Sequence, residues 1–294
     1  MKFIFSVVRR FLLAYAVLFS IVGTIILATV AVIIGIPVFT VKTLAFVNPG
    51  ESAFMKDYKT ILRHSGKADT LSHVFVPIDS ISINLQNAVL AAEDDAFYVH
   101  PGIDINAVLD AYNYNLERRR IKRGASTLTQ QLAKNLFLNG DRTFNRKYKE
   151  LMYTLLMENF LGKKRILELY LNYAQWGKTI FGCEAASRHY FGKSAKNLST
   201  HEAARLAAVL VAPARLSPTN ASSGFMQRRL AVIATNLYSH SSISADNYRD
   251  ITNSEPPAPD SNEILPNADS TDNGSAPLLH GAPAHADSVR RDSL

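Results

Sequence analysis

The run Glu93-Asp94-Asp95-Ala96-Phe97-Tyr98-Val99-His100-Pro101-Gly102 sets three carboxylates and a histidine within eight positions. Leu85 to Ala92 reads as a helix, and Glu93 follows Leu90 and Val89 by three and four residues. Glu93 therefore shares their apolar face near the helix C-terminus. Partial burial and the negative end of a helix dipole both make a carboxylate more basic, which suits a general base. The plainer alternative is that Glu93 and Asp94 are solvated at a helix end, with His100 paired to one of them.

A second group lies in Gly124-Ala125-Ser126-Thr127-Leu128-Thr129-Gln130-Gln131-Leu132-Ala133-Lys134-Asn135. Gly124 allows a turn, and Ser126 or Thr127 can cap the helix that follows. Thr127, Gln131 and Lys134 fall on one face, opposite the stripe of Leu128, Leu132 and Leu136. Hydroxyl, amide and ammonium groups beside a helix N-terminus suit an anionic oxygen such as phosphate. The same pattern also describes an ordinary amphipathic helix with a polar outer face. Arg118, Arg119, Arg120, Lys122 and Arg123, just upstream, form a basic run that is either a solvated face or a contact for lipid headgroups. A third group is Arg146-Lys147-Tyr148-Lys149-Glu150, read either as a surface i, i+4 pair or as a buried Glu150 ringed by bases.

These groups need a scaffold and a location. From Phe11 to Val41 no residue is charged, and a membrane span needs roughly 20 apolar residues. A cleaved signal peptide would have an apolar core of only about 7–15 residues, so the reading is a retained anchor over 11–36. Lys2, Arg9 and Arg10 precede the run and only Lys42 follows closely, which puts residues 1–10 in the cytoplasm and the rest outside. Residues 37–82 read as an extracytoplasmic lead-in, and 83–245 as a mainly α domain with apolar residues at three- and four-residue spacings. No strand alternation persists. Residues 254–294 hold six of the twelve prolines, seven acids and two bases, a composition that cannot bury enough surface to order itself. That tail is −5, so the overall +7 leaves +12 on the preceding residues, a charge that favours an anionic partner. No basic–aromatic reading module suggests nucleic acid. Cys183, the one cysteine, excludes an internal disulfide.

In this order, the blocks resemble the signatures of the peptidoglycan glycosyltransferases of glycosyltransferase family 51. The first is similar to E-D-x-x-F-x-x-H-x-G, at Glu93, Asp94, Phe97, His100 and Gly102. The second is similar to G-[GA]-S-T-[IL]-[ST]-Q-Q-x-x-K-N, complete from Gly124 to Asn135. R-K-x-x-E falls at Arg146, Lys147 and Glu150, and two further blocks span Lys164 to Lys193 and Glu202 to Pro218. Val211-Ala212-Pro213 departs from the family's common P-N-P. The resemblance covers about residues 80–240. Bifunctional relatives add a penicillin-binding domain with a nucleophile in S-x-x-K. No lysine here has a serine three residues before it, so the resemblance is to the monofunctional type.

The resemblance implies a lysozyme-like helical glycosyltransferase domain with a membrane-facing apolar region, behind one transmembrane helix in the cytoplasmic (inner) membrane. It implies lipid II and the growing glycan strand as substrates, inversion at the anomeric centre, and undecaprenyl pyrophosphate as the leaving group. Carried over by residue, Glu93 would take the acceptor proton. Glu150, with Lys134 and Arg142, would organise the pyrophosphate, and Ser126, Gln130 and Gln131 would line the donor cleft. A divalent cation (Mg or Mn) at Glu150 is compatible with this scheme, no organic cofactor is expected, and cell-wall synthesis or division proteins are the expected protein partners. Two rivals are a lysozyme-like glycan hydrolase, which would not need the Ser/Gln/Lys helix, and an anchored scaffold, which would not need the acids.

Overall fold

In the computed structural model, residues 2–34, 38–117, 124–139, 143–220 and 223–258 are described. The basic run from Arg118 to Arg123, Arg142, and the tail beyond residue 258 lie outside them. Helix α1 spans Lys2–Ile34. Its window Arg10–Ala28 has a mean hydropathy of 2.5 and no part of it is buried among the described residues; the helix is long and apolar enough to cross a membrane. α2 (Val38–Thr43) and α3 (Ala53–His64) follow, then the two-residue strand β1 (Ser72–His73). The body continues with α4 (Ile83–Glu93), α5 (Ile105–Glu117), α6 (Leu128–Phe137), α7 (Phe144–Phe160) and α8 (Lys163–Tyr173). After β2 (Ile180–Phe181) come α9 (Cys183–Phe191), α10 (Thr200–Ala208), α11 (Gly224–Ser239) and α12 (Ala245–Thr252). The strands pair in parallel, Ser72 opposite Ile180 and His73 opposite Phe181.

Serine and threonine caps start most of these helices. Ser82, Thr127, Thr143, Ser199, Ser223 and Ser244 each accept an N–H from the first turn that follows, using donors that would otherwise be orphaned. Packing then fixes two central helices. α4 lies against α10 and α11, and α6 lies against α3, α7 and α8. Ala203, Ala204, Ala207 and Ala208 of α10 are buried, and their small side chains let its backbone approach α4. Leu128 and Leu132 of α6 are fully buried, so the leucine stripe faces inward.

The lead-in is not a separate tether. Val41 of α2, Leu44 just after it and Met55 of α3 belong to the main core, and Leu62 of α3 is buried as well. Met55 and Leu62 are seven residues apart, two turns of one helix face, and α3 spends that face on α6. At the other end, α12 adds Tyr248 and Ile251 to the core, so packing continues past residue 245 until Asn253 turns left-handed at φ 55°. α5 differs from its neighbours. It exposes Ile105, Val108, Leu109, Tyr112 and Leu116, an unusually large apolar face for a surface helix. Cys183 is buried, and that burial pushes its thiol well above the usual range, which leaves it inert.

Candidate active site

Glu93 is the last residue of α4. Its side chain is 4% exposed, and a buried carboxylate needs compensation. Compensation comes from α11, where Arg229 Nη2 donates to Glu93 Oε1 at 2.8 Å and to the Ala92 carbonyl at 3.0 Å. Asn236, two turns along α11, donates to the Ala91 carbonyl at 2.9 Å. α11 thus satisfies carbonyls that the end of α4 leaves open while holding the acid. Glu93 Oε2 accepts from Gln131 Nε2 at 3.0 Å, and Gln131 Oε1 accepts from the Tyr170 hydroxyl at 3.3 Å. These two bonds fix which way the Gln131 amide faces.

The rest of the first motif is framework. Gly102 N–H donates to His100 Nδ1 at 3.1 Å, so Nε2 carries the proton that bonds Asp94 Oδ1 at 2.9 Å. Asp94 Oδ2 accepts the Leu128 N–H at 2.7 Å, placing a carboxylate at the positive end of α6. Thr127 Oγ1 donates to the Gly102 carbonyl at 2.7 Å. Gly102 itself sits at φ +95°, and a Cβ there would come within 2.7 Å of Glu158 Cγ and 2.9 Å of Thr154 Cγ2. Only glycine fits. Asp94, Phe97, His100 and Gly102 therefore pin the loop after Glu93 onto α6 and α7.

α6 divides its two glutamines. Gln130 turns inward and is buried. Its Oε1 accepts the Thr127 N–H at 3.0 Å, completing a capping box, so its amide oxygen serves the helix start rather than lining a cleft as the resemblance implied. Gln131 and Lys134 do line a cleft, of about 170 Å³, opposite Tyr170, Gln175, Val211 and Pro213. The loop that departs from the family pattern thus forms part of that wall. Ser126 is exposed, and Lys147 Nζ lies 3.5 Å from its hydroxyl.

Glu150 on α7 is also buried, its side chain 4% exposed. Arg146 Nη1 donates to its Oε2 at 2.7 Å, and Lys147 Nζ bonds its Oε1. Arg146 also borders a hollow of about 390 Å³ with Lys149, Asn145 and Leu138. Each Glu150 oxygen carries a cation from its own helix, so as the one carboxylate here it would hold a divalent ion only with waters and substrate phosphate oxygens completing the shell. No group of three His, Cys, Asp or Glu converges on a point among the described residues.

A buried acid bonded to an amide that lines a cleft with a lysine, together with a second buried acid held by two cations, suits transfer to a hydroxyl from an anionic leaving group. The model of the Transglycosylase family matches residues 59–237. The chain belongs to this transglycosylase family. It is 42% identical over 196 residues to the biosynthetic peptidoglycan transglycosylase of Nitrosospira multiformis, covering 67% of this chain and 85% of that one. It is 45% identical over 190 residues to the protein of the same name from Bordetella avium, with coverage of 63% and 79%. Within this transglycosylase, Arg229, Asn236 and Tyr170 are the residues around Glu93 that sequence reasoning missed. Arg229 and Asn236 lie seven apart on α11, a one-face spacing that could have flagged them, but nothing local connects that face to α4.

Proposed function

We infer that this chain polymerises peptidoglycan glycan strands from lipid II, transferring the growing strand from undecaprenyl pyrophosphate to the acceptor 4-hydroxyl with inversion. The acceptor hydroxyl donates its proton to Glu93 as its oxygen forms the new bond to the anomeric carbon. The bond from that carbon to the pyrophosphate oxygen breaks, and the electron pair leaves with the diphosphate. Lys134, Arg146 and Lys147 supply the cations that oppose the leaving group's charge, a role in which charge-assisted bonds are strong. Glu150 holds Arg146 and Lys147 in place. Gln131 links acid and cleft, because one amide bonds Glu93 and lines the wall with Lys134. That shared amide is the observation that carries the reading.

Orientation follows from the charges flanking the apolar stretch of α1. Lys2, Arg9 and Arg10 lie before the apolar stretch, so the N-terminus stays in the cytoplasm and the catalytic body lies outside the inner membrane. The exposed face of α5 then rests at the bilayer, and proteins of cell-wall synthesis or division are the partner class. Labelled lipid II tests the chemistry. Glu93→Gln keeps shape and one acceptor oxygen but loses the base and the countercharge of Arg229, so the variant melts lower yet still folds and binds, while polymerisation falls by about 10²–10⁴-fold. If the variant kept more than about a tenth of the rate, the base would have to be another residue.

A further inference from the structure

Arg165, on α8, has only 16% of its side chain exposed, and the chemistry above does not use it. Its guanidinium is fully engaged with the stretch that follows α2. Nε donates to the Leu44 carbonyl at 2.8 Å, and Nη2 donates to Asn48 Oδ1 at 2.6 Å and to the Val47 carbonyl at 3.3 Å. Nη1 pairs with Glu168, whose other oxygen accepts the Ile78 N–H at 2.7 Å. Farther along the helix, the Tyr173 hydroxyl donates to the Pro49 carbonyl. Burial pushes the Tyr173 phenol up to about 12, with the Arg165 charge acting weakly against it, so it remains a donor at any working pH. One helix therefore grips residues 44–49 through three backbone carbonyls and one side-chain amide.

Only a planar, multi-donor cation can make this set of contacts. The gripped stretch has no need of it for its own secondary structure, since its turn already closes through Leu44 N–H to Val41 and Val47 N–H to Thr43. What lies on either side gives the grip its meaning. In and just before the gripped stretch, Val41 and Leu44 are buried in the core while Phe39, Phe46 and Val47 are 79%, 87% and 60% exposed. Bulky apolar side chains directly after a membrane-spanning helix suit the bilayer interface. On the cleft side, α8 carries Tyr170, which orients the Gln131 amide that bonds Glu93. A helix of this length extends only about 16 Å, so the gripped stretch and the base are connected through one rigid element.

We propose that Arg165 is a positioning residue that clamps residues 44–49 to α8 and so fixes how the catalytic cleft meets the bilayer surface. The proposal rests on the lipid II reading above. A diffusing substrate would be insensitive to the clamp, whereas one whose tail stays in the membrane must enter the cleft at a set height and tilt.

The full-length protein and Arg165→Ala are compared on two substrates. One is long-chain lipid II in vesicles of phosphatidylethanolamine and phosphatidylglycerol containing the enzyme. The other is a short-chain, water-soluble lipid II analogue given to enzyme in detergent. The expected result is a vesicle rate lower by about fivefold or more, a detergent rate within about twofold of the parent, and a retained melting transition. An undiminished vesicle rate overturns the proposal, and so does an equal loss on both substrates, which would make Arg165 a support of the fold or of the cleft itself. Should Arg165→Ala fail to fold, a Gly-Ser-Gly insertion between Val47 and Asn48 loosens the clamp with α8 intact and is judged by the same outcomes. A parent enzyme inactive on both substrates would refute the functional reading rather than the clamp.

Discussion

Glu93 and Glu150 are buried to the same degree, but their countercharges come from different places. Glu150 is neutralised by Arg146 and Lys147 from its own helix, at spacings visible in the sequence. Glu93 is neutralised by Arg229, 136 residues away, a pairing that only the fold creates. Breaking a buried pair from one side leaves an uncompensated charge and costs about 3–5 kcal/mol. Arg229→Ala should therefore lower the melting temperature sharply, and adding Glu93→Gln should restore part of it, because no buried charge then remains. If the double variant melts below Arg229→Ala, the pair is not what stabilises this corner. The glutamines separate in the same way. Gln130→Ala should cost about 1 kcal/mol of stability through the lost capping box and leave the activity of folded protein nearly intact. Gln131→Ala should leave stability nearly intact and lower the polymerisation rate. The reverse pattern, read by thermal unfolding and initial rates, would mean that the inward and outward faces of α6 are misassigned.

At the scale of elements, the start of α6 is where the motifs converge. Thr127 caps the helix and also bonds the Gly102 carbonyl, while Asp94 takes the Leu128 N–H. Gly102 is the tightest point, because its positive φ and its closeness to α7 both exclude a side chain. Gly102→Ala should cost at least the roughly 1–3 kcal/mol of a strained backbone position and displace Glu158. It should lower both the melting temperature and the activity at temperatures where the parent is stable, and an unchanged melting temperature would show that the loop relaxes freely. α4 and α6 were legible in the sequence because a cap, a leucine or valine stripe and a motif coincide in each. α2 and α3 were not. Val41 ends the uncharged run that begins at Phe11, just past the anchor read over 11–36, and Met55 and Leu62 are too sparse a stripe to distinguish core from lead-in without their partner α6. Arg229 was illegible for a related reason, since a local pattern gives the face of a helix but not what that face meets.

At the scale of the molecule, charge is divided between body and tail. The sequence carries +7 overall, −5 of it from residues 254–294, so removing that tail leaves a chain of +12. The family match ends at residue 237, and the last described helix at Thr252. Among the described residues, none of those around Glu93 or Glu150 belongs to the tail, so its deletion should leave the polymerisation rate on detergent-solubilised lipid II nearly unchanged. A loss of about tenfold or more with an intact melting transition would give the tail a part in the chemistry. Membrane association should change instead. Anionic lipid attracts basic protein surface within about a Debye length, and an acidic segment on the same chain opposes that attraction. Both forms keep α1, so the contrast is best read with α1 removed from each, as the bound fraction on vesicles rich in phosphatidylglycerol. The tail-less form should bind more tightly at low salt, and the difference should shrink as salt rises. Equal binding at every ionic strength would show that the tail's charge does not reach the surface the body presents to lipid.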